Sequence, residues 1–286
     1  MTLRLCGAQI DPRLGRTADN AALCAGEIRA AASEGARLVV LPEASLTGYV
    51  FDELEAALEG AVEAGGPELD AVADACAETG LWAVVGALVR EAGRLHNSAF
   101  TIGPEGIVGE YRKTHTLCLG MDRFTEHGPG PLPVYDLPFG PVGVHICADG
   151  SYPETARALR LAGARLLLLP TNWPDLTLKR EMVRVRAQEN RAFYVAVNRV
   201  GEEGGVTFRG GSCAAGPGGE LLAEAGSAPG RFHLEIDFEA ASARVVVSEG
   251  EYEYDRLADR RPELYGALVE PNDPARRTGG RRRPRG

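Results

Sequence analysis

Short apolar runs bounded by glycine or proline recur along the 286-residue chain, at 3–10, 36–41, 81–89, 142–146, 165–169 and 193–197. Runs of this length and punctuation suit strands buried on both faces. Helical patterns fall between them. Residues 18–34 place Ala21, Ala25, Ile28 and Ala32 on one stripe, with Gly35 as a stop. Further helices are predicted at 67–79, at 154–162 between Pro153 and Gly163, and at 176–192. Such alternation dictates an α/β fold with helices covering sheet faces. Residues 81–112 read as strand, turn, strand, turn, strand, and 206–237 repeat that habit around Pro217, Gly218 and Gly219. Hairpins in both halves predict two mixed sheets packed together. No linker interrupts the chain before residue 270, so 1–270 are expected to form one domain and 271–286 a disordered basic tail.

Charge narrows the partners. The net charge is −9, although the last twelve residues carry six arginines and no acid, so the body is more acidic still. That balance argues against nucleic acid as a partner. No apolar run reaches the length of a membrane span, and the opening residues show no signal-peptide pattern, which together predict a cytoplasmic protein. The six cysteines, at 6, 24, 76, 118, 147 and 213, form no CxxC pair, and the five histidines form no HxH or HxxxH pair. A special cysteine is therefore expected to be a nucleophile rather than a metal ligand or a bridge, and no metal is predicted.

In open α/β sheets, ligands gather at the carboxyl ends of strands. Three reactive groups emerge there: Glu43 in LPEASLTGY, Lys113 in YRKTH, and Cys147 in ICADGSYPETAR. Only Lys113 and Lys179 are lysines among 31 basic residues, in a chain that otherwise uses arginine for solubility. A lysine directly after Arg112 hints that a compact ammonium is wanted there. Read alone, Cys147 is a small buried hydrophobe and Glu43 a surface carboxylate. Cys6, Cys24, Cys76 and Cys213 keep the first reading, whereas Cys118 lies in the loop after Lys113 and is open to either. His145, two residues before Cys147, offers a rival Cys–His pair. His115 and His127 are read as solvated loop residues.

These three segments resemble the nitrilase, or carbon–nitrogen hydrolase, superfamily, and so do HNSAF at 96–100, LLLPTNWP at 167–174, RAQENRAFYVAVNRVG at 186–201 and GGSCAAGPGGE at 210–220. The resemblance spans about residues 3–269. It implies a four-layer αββα sandwich that pairs into a homodimer or larger homo-oligomer. It also implies cofactor-free hydrolysis of small amide, N-carbamoyl or nitrile substrates, with Cys147 as nucleophile, Glu43 as general base and Lys113 as electrostatic stabiliser. The oxyanion would meet the Ala148 backbone N–H. A second acid is expected at Asp122, with Glu126 at a less favoured offset. Tyr49, Phe51, Asn172 and Trp173 are candidate pocket walls. Ala148 stands where the family usually has Tyr or Trp, which predicts a roomier acyl site and favours amides or ureido compounds over nitriles. The competing classes are a scaffold protein that lost activity and an acyl transferase.

Overall fold

The computed structural model describes residues 2–243, 245–248 and 250–271. Residues 272–286, most of the expected tail, lie outside the described residues. The first half runs β1 (Thr2–Gln9), α1 (Thr17–Ser33), β2 (Leu38–Val40), α2 (Leu54–Glu59), β3 (Val62–Glu63), α3 (Pro67–Thr79), β4 (Trp82–Glu91), β5 (Arg94–Gly103) and β6 (Gly106–Arg112). The second runs β7 (Val134–Leu137), β8 (Gly140–Val144), α4 (Pro153–Leu161), β9 (Leu166–Thr171), α5 (Lys179–Asn190) and β10 (Phe193–Asn198). It ends with β11 (Val200–Glu203), β12 (Val206–Arg209), β13 (Cys213–Ala215), β14 (Leu221–Glu224), β15 (Gly230–Asp237), β16 (Val245–Ser248) and β17 (Tyr252–Asp255).

Two mixed sheets carry the fold. One has the order β15-β1-β2-β4-β5-β6 with β3 beside β4, and the other β14-β13-β10-β9-β8-β7. Each centres on three parallel strands, β1, β2 and β4 in the first and β8, β9 and β10 in the second, with antiparallel strands outside except for the short β3, which runs parallel to β4. Side chains of the first sheet alternate between two cores, as a two-residue period requires. Cys6, Ala8, Val39 and Val85 pack with Ile28 of α1 and Val72 of α3. Leu3, Leu5, Val40 and Val84 instead join the second sheet in a core that continues to Leu159 of α4 and Val183 of α5. The layers therefore run helix, sheet, sheet, helix.

Two local expectations are corrected. Helix α5 begins at Lys179, not Leu176, because Leu178 adopts a left-handed φ of 58° and Asp175 accepts the Thr177 N–H in a turn. Residues 206–237 are not one meander. Strand β12 pairs back onto β11 as a separate hairpin, β13 and β14 close the edge of the second sheet, and β15 crosses to the first sheet beside β1. Phe232, Leu234 and Ile236 on β15 alternate into the core between the sheets, which anchors that crossing.

Candidate active site

Glu43 sits in the turn after β2, fully buried against β4. The approach depends on Gly86 in β4: a Cβ there would lie 2.5 Å from the Ala44 nitrogen and 2.8 Å from the Glu43 Cα. Lys113 follows β6 directly, anchored by its N–H to the Asn97 carbonyl at 2.8 Å, and is fully buried. Its Nζ donates to Glu43 Oε1 at 2.7 Å and to Asp122 Oδ2 at 2.6 Å. Asp122 lies in a 3₁₀ turn at Gly120–Arg123 that folds back because the Met121 N–H reaches the Tyr49 carbonyl at 2.7 Å. Glu126 is remote from this cluster, on an exposed pair with Arg94 at 3.2 Å.

Asn97, unsuspected from the sequence, binds the two acids together. Its Nδ2 donates to Glu43 Oε1 at 2.7 Å and to Asp122 Oδ1 at 2.8 Å. The only signal in the sequence was its place within HNSAF, one of the segments that carry the family resemblance.

Cys147 opens the 3₁₀ turn Cys147–Ser151 at the end of β8, with a φ of 44°. A left-handed non-glycine residue is strained, and such strain often accompanies functional sites. Asp149 holds the turn from below. Its Oδ2 accepts the Ile146 N–H at 2.9 Å and the Tyr111 hydroxyl at 2.7 Å, and its Oδ1 accepts the His115 N–H at 3.0 Å. The loop that follows Lys113 is thereby tied to the turn that presents Cys147. His115 stacks on Tyr152, with centroids 3.9 Å apart, and His127 faces the Thr114 carbonyl at 3.1 Å.

The electrostatics follow from burial. Burial pushes the Cys147 thiol up to about 12; Glu43 adds to this, while Lys113, the Thr171 hydroxyl and the Asn172 N–H oppose it. Burial also raises the Glu43 carboxyl, with Lys113 opposing and Asp122 adding to the rise. Burial works against the Lys113 ammonium, but Glu43 and Asp122 outweigh it and hold the group firmly charged. Asp122 takes the second lysine contact and the Leu117 N–H at 3.1 Å, while Glu43 Oε2 has no hydrogen-bond partner among the described residues. His145 turns the other way: its Nε2 meets the Tyr194 hydroxyl at 2.7 Å, and burial lowers its pKa to about 4. The imidazole is thus committed to Tyr194.

A cavity of about 340 Å³ adjoins the buried groups, lined by Tyr49, Cys118, Arg123, Asn172, Val206 and Phe208 among others. Tyr49 and Asn172 belong to both regions, since the Tyr49 ring faces Lys113 Nζ at 5.8 Å and the Asn172 N–H faces the sulfur. Cys118, ambiguous in the sequence, is exposed at this mouth. Phe51 instead packs in a small cluster with Ala57 and Leu88, and Trp173 packs in the inter-sheet core. A groove of about 610 Å³ between α4 and residues 256–269 is larger, but no cysteine, serine or lysine lines it. Among the described residues, no helix is long and apolar enough to cross a membrane.

A buried acid and amine in contact, with a thiol close enough to feel both charges, suit acyl transfer through a covalent intermediate. Known proteins carry the same arrangement of chain. Residues 2–242 match the family described as carbon-nitrogen hydrolase. A nitrilase from Pyrococcus abyssi is 37% identical over 224 residues, covering 78% of this chain and 85% of its own. An (R)-stereoselective amidase from a Pseudomonas species is 35% identical over 264 residues, covering 91% and 89%. Among solved structures, an amidase from Nesterenkonia sp. superposes with a TM-score of 0.79 at 25% identity, over 93% of this chain and 96% of that one. On this sequence match, and with the two-sheet sandwich in agreement, the chain belongs to the carbon–nitrogen hydrolase family.

Proposed function

We propose that this hydrolase releases ammonia from small amides or N-carbamoyl compounds through a Cys147 thioester. The observation that carries the reading is the buried contact of Lys113 with both Glu43 and Asp122, beside a cysteine held in strained backbone. Glu43 takes the thiol proton as the sulfur bonds to the carbonyl carbon. The oxyanion that forms is met by Lys113 Nζ and the Ala148 N–H. Collapse breaks the C–N bond, and Glu43 passes its proton to the departing nitrogen, which leaves as ammonia. Water then gives a proton to Glu43 and attacks the thioester, releasing the acid and restoring the thiol. A carboxyl that moves protons in both directions works best with its pKa raised towards neutrality, the direction in which burial drives Glu43. Alanine at 148 leaves no bulky side chain beside the sulfur, which favours an amide or ureido group over a nitrile.

Ammonia release from propionamide, glutaramate, N-carbamoyl-β-alanine and benzonitrile tests this directly. Turnover of the amide or ureido compounds, with benzonitrile slower, is expected; turnover of benzonitrile alone would make the protein a nitrilase, and none at all would leave a scaffold.

A pH prediction follows from the geometry. Below its pKa, Glu43 already carries the proton it must accept, so kcat/KM falls as pH falls through that value. The acid limb is therefore expected above the ordinary carboxylate range. Asp122→Asn removes a negative neighbour and should move the limb to lower pH. A limb in the ordinary range in wild type, or one unmoved by the substitution, would count against Glu43 as the base.

A further inference from the structure

One carboxylate outside the catalytic cluster spans both walls of the cavity. Glu203, at the end of β11, is only 6% exposed. Its Oε1 accepts the backbone N–H groups of Tyr49 at 2.7 Å and Val50 at 2.6 Å. Its Oε2 accepts Arg199 Nη1 at 2.7 Å. Arg199 is itself fully buried, donates to the Pro12 carbonyl at 2.8 Å, and lies 4.6 Å over the Phe208 ring. Tyr49 and Val50 form one wall of the cavity, and Gly204, Val206 and Phe208 of the β11–β12 hairpin form the other. The neighbouring backbone is fitted to this contact: Gly48 has a φ of 76°, and a Cβ there would come within 2.7 Å of Glu203 Oε2.

We propose that Glu203 is a positioning residue that sets the width of the substrate cavity, and so selects how long an acyl chain can reach Cys147. Tyr49 transmits the setting. Its N–H is fixed by Glu203, its carbonyl by the Met121 N–H at 2.7 Å, and its ring faces both the cavity and Lys113. A carboxylate is suited to this task because its two oxygens can hold two backbone donors and a guanidinium at once, with charge assistance on the arginine side. A buried ion pair of this kind is weak evidence for stability, whereas its three short contacts, to Tyr49, Val50 and Arg199, tie the two walls together. The inference rests on the amidase reading for its substrate class, an amide with an unbranched acyl chain, and not for the wall itself.

Two variants test it. Glu203→Gln retains an acceptor for the Tyr49 and Val50 N–H groups and loses the charge facing Arg199. Glu203→Asp keeps the charge and loses the reach. Pockets discriminate one methylene by roughly 10–200-fold, so the ratio of kcat/KM for propionamide to that for hexanamide should shift by about ten-fold in at least one variant. The change should fall on KM, with kcat for propionamide within about three-fold of wild type. A second readout needs no turnover: alkylation of Cys147 by iodoacetamide and by N-hexyl iodoacetamide, followed on the Cys147 peptide because Cys118 is also exposed. Their rate ratio should shift in the same direction. If wild type hydrolyses no amide, the amidase reading fails while the alkylation ratio still reports on the wall. Unchanged ratios with a lowered Tm would assign Glu203 to stability alone and overturn the proposal. Failure of both variants to fold would do the same.

Discussion

Cys147→Ala is expected to lower kcat for the best amide substrate by on the order of 10⁴-fold or more, as removal of a covalent nucleophile does elsewhere. The substitution deletes one sulfur and leaves the backbone turn, whose hydrogen bonds run through Asp149 rather than through the cysteine. Stability should therefore change little, and the circular dichroism spectrum should match that of wild type. The loss has two parts. Without the sulfur the proposed thioester cannot form, and Glu43 is left to direct water at an amide carbon that no thioester has activated. Intact-mass spectrometry during turnover separates this from a binding defect, because an acyl adduct should appear on wild type and on no Cys147→Ala molecule. A variant that retained a tenth of the wild-type rate would remove Cys147 from the chemistry. The thiol should also be unreactive at rest. With its pKa pushed to about 12 by burial, it alkylates slowly at neutral pH and faster as pH rises. On the proposed mechanism, activation of the sulfur waits for the substrate.

Lys113→Met is expected to damage activity and stability together, for one reason. The ammonium is the buried cation that both Glu43 Oε1 and Asp122 Oδ2 contact. Losing one oxyanion donor costs about 10²–10³ in rate, and the misplaced base should take the total to on the order of 10³ or beyond. Removing one partner of a buried ion pair costs about 3–5 kcal/mol, because the remaining charges stay buried without it. The pH dependence of that deficit has a definite sign. In the variant the Glu43 carboxyl, already raised by burial, loses the ammonium that opposes the rise and must take up a proton to remain buried, so its folded pKa lies further above the unfolded one. Such groups favour the folded state below the unfolded pKa and lose that contribution as pH rises through the folded pKa. Urea unfolding should accordingly show a small deficit near pH 5 that grows towards pH 8. Asp122→Asn in the same background should recover part of the stability and none of the activity. A Lys113→Met protein with wild-type kcat and no pH-dependent deficit would contradict both arguments.

Much of this architecture could be read from residue order. Helix α3 falls on 67–79 as expected, because Pro67 fits its first turn and Gly80 takes the left-handed cap with a φ of 71°. Glu43, Lys113 and Cys147 were visible as reactive groups at strand ends, where topology alone limits where they can go. Other features depend on contacts between distant segments. Whether Asp122 or Glu126 joins the cluster is decided by one backbone hydrogen bond from Met121 to Tyr49, which no local pattern encodes. The period-two pattern of β15 marks a strand but not the sheet it enters. The sequence marks arginine as a solubilising residue, yet Arg199 is completely buried, and its partner Glu203 gives no local sign of lying beside Tyr49.

The crossing of β15 bears on how a ribosome must deliver this protein. Strand β1 pairs with β15 along its whole length, from Thr2 opposite Asp237 to Gln9 opposite Gly230. A growing polypeptide therefore holds β1 with one flank unsatisfied until more than two hundred further residues have emerged. An unpaired strand flank invites association with other chains. During synthesis, that flank stays open until residue 237 has emerged.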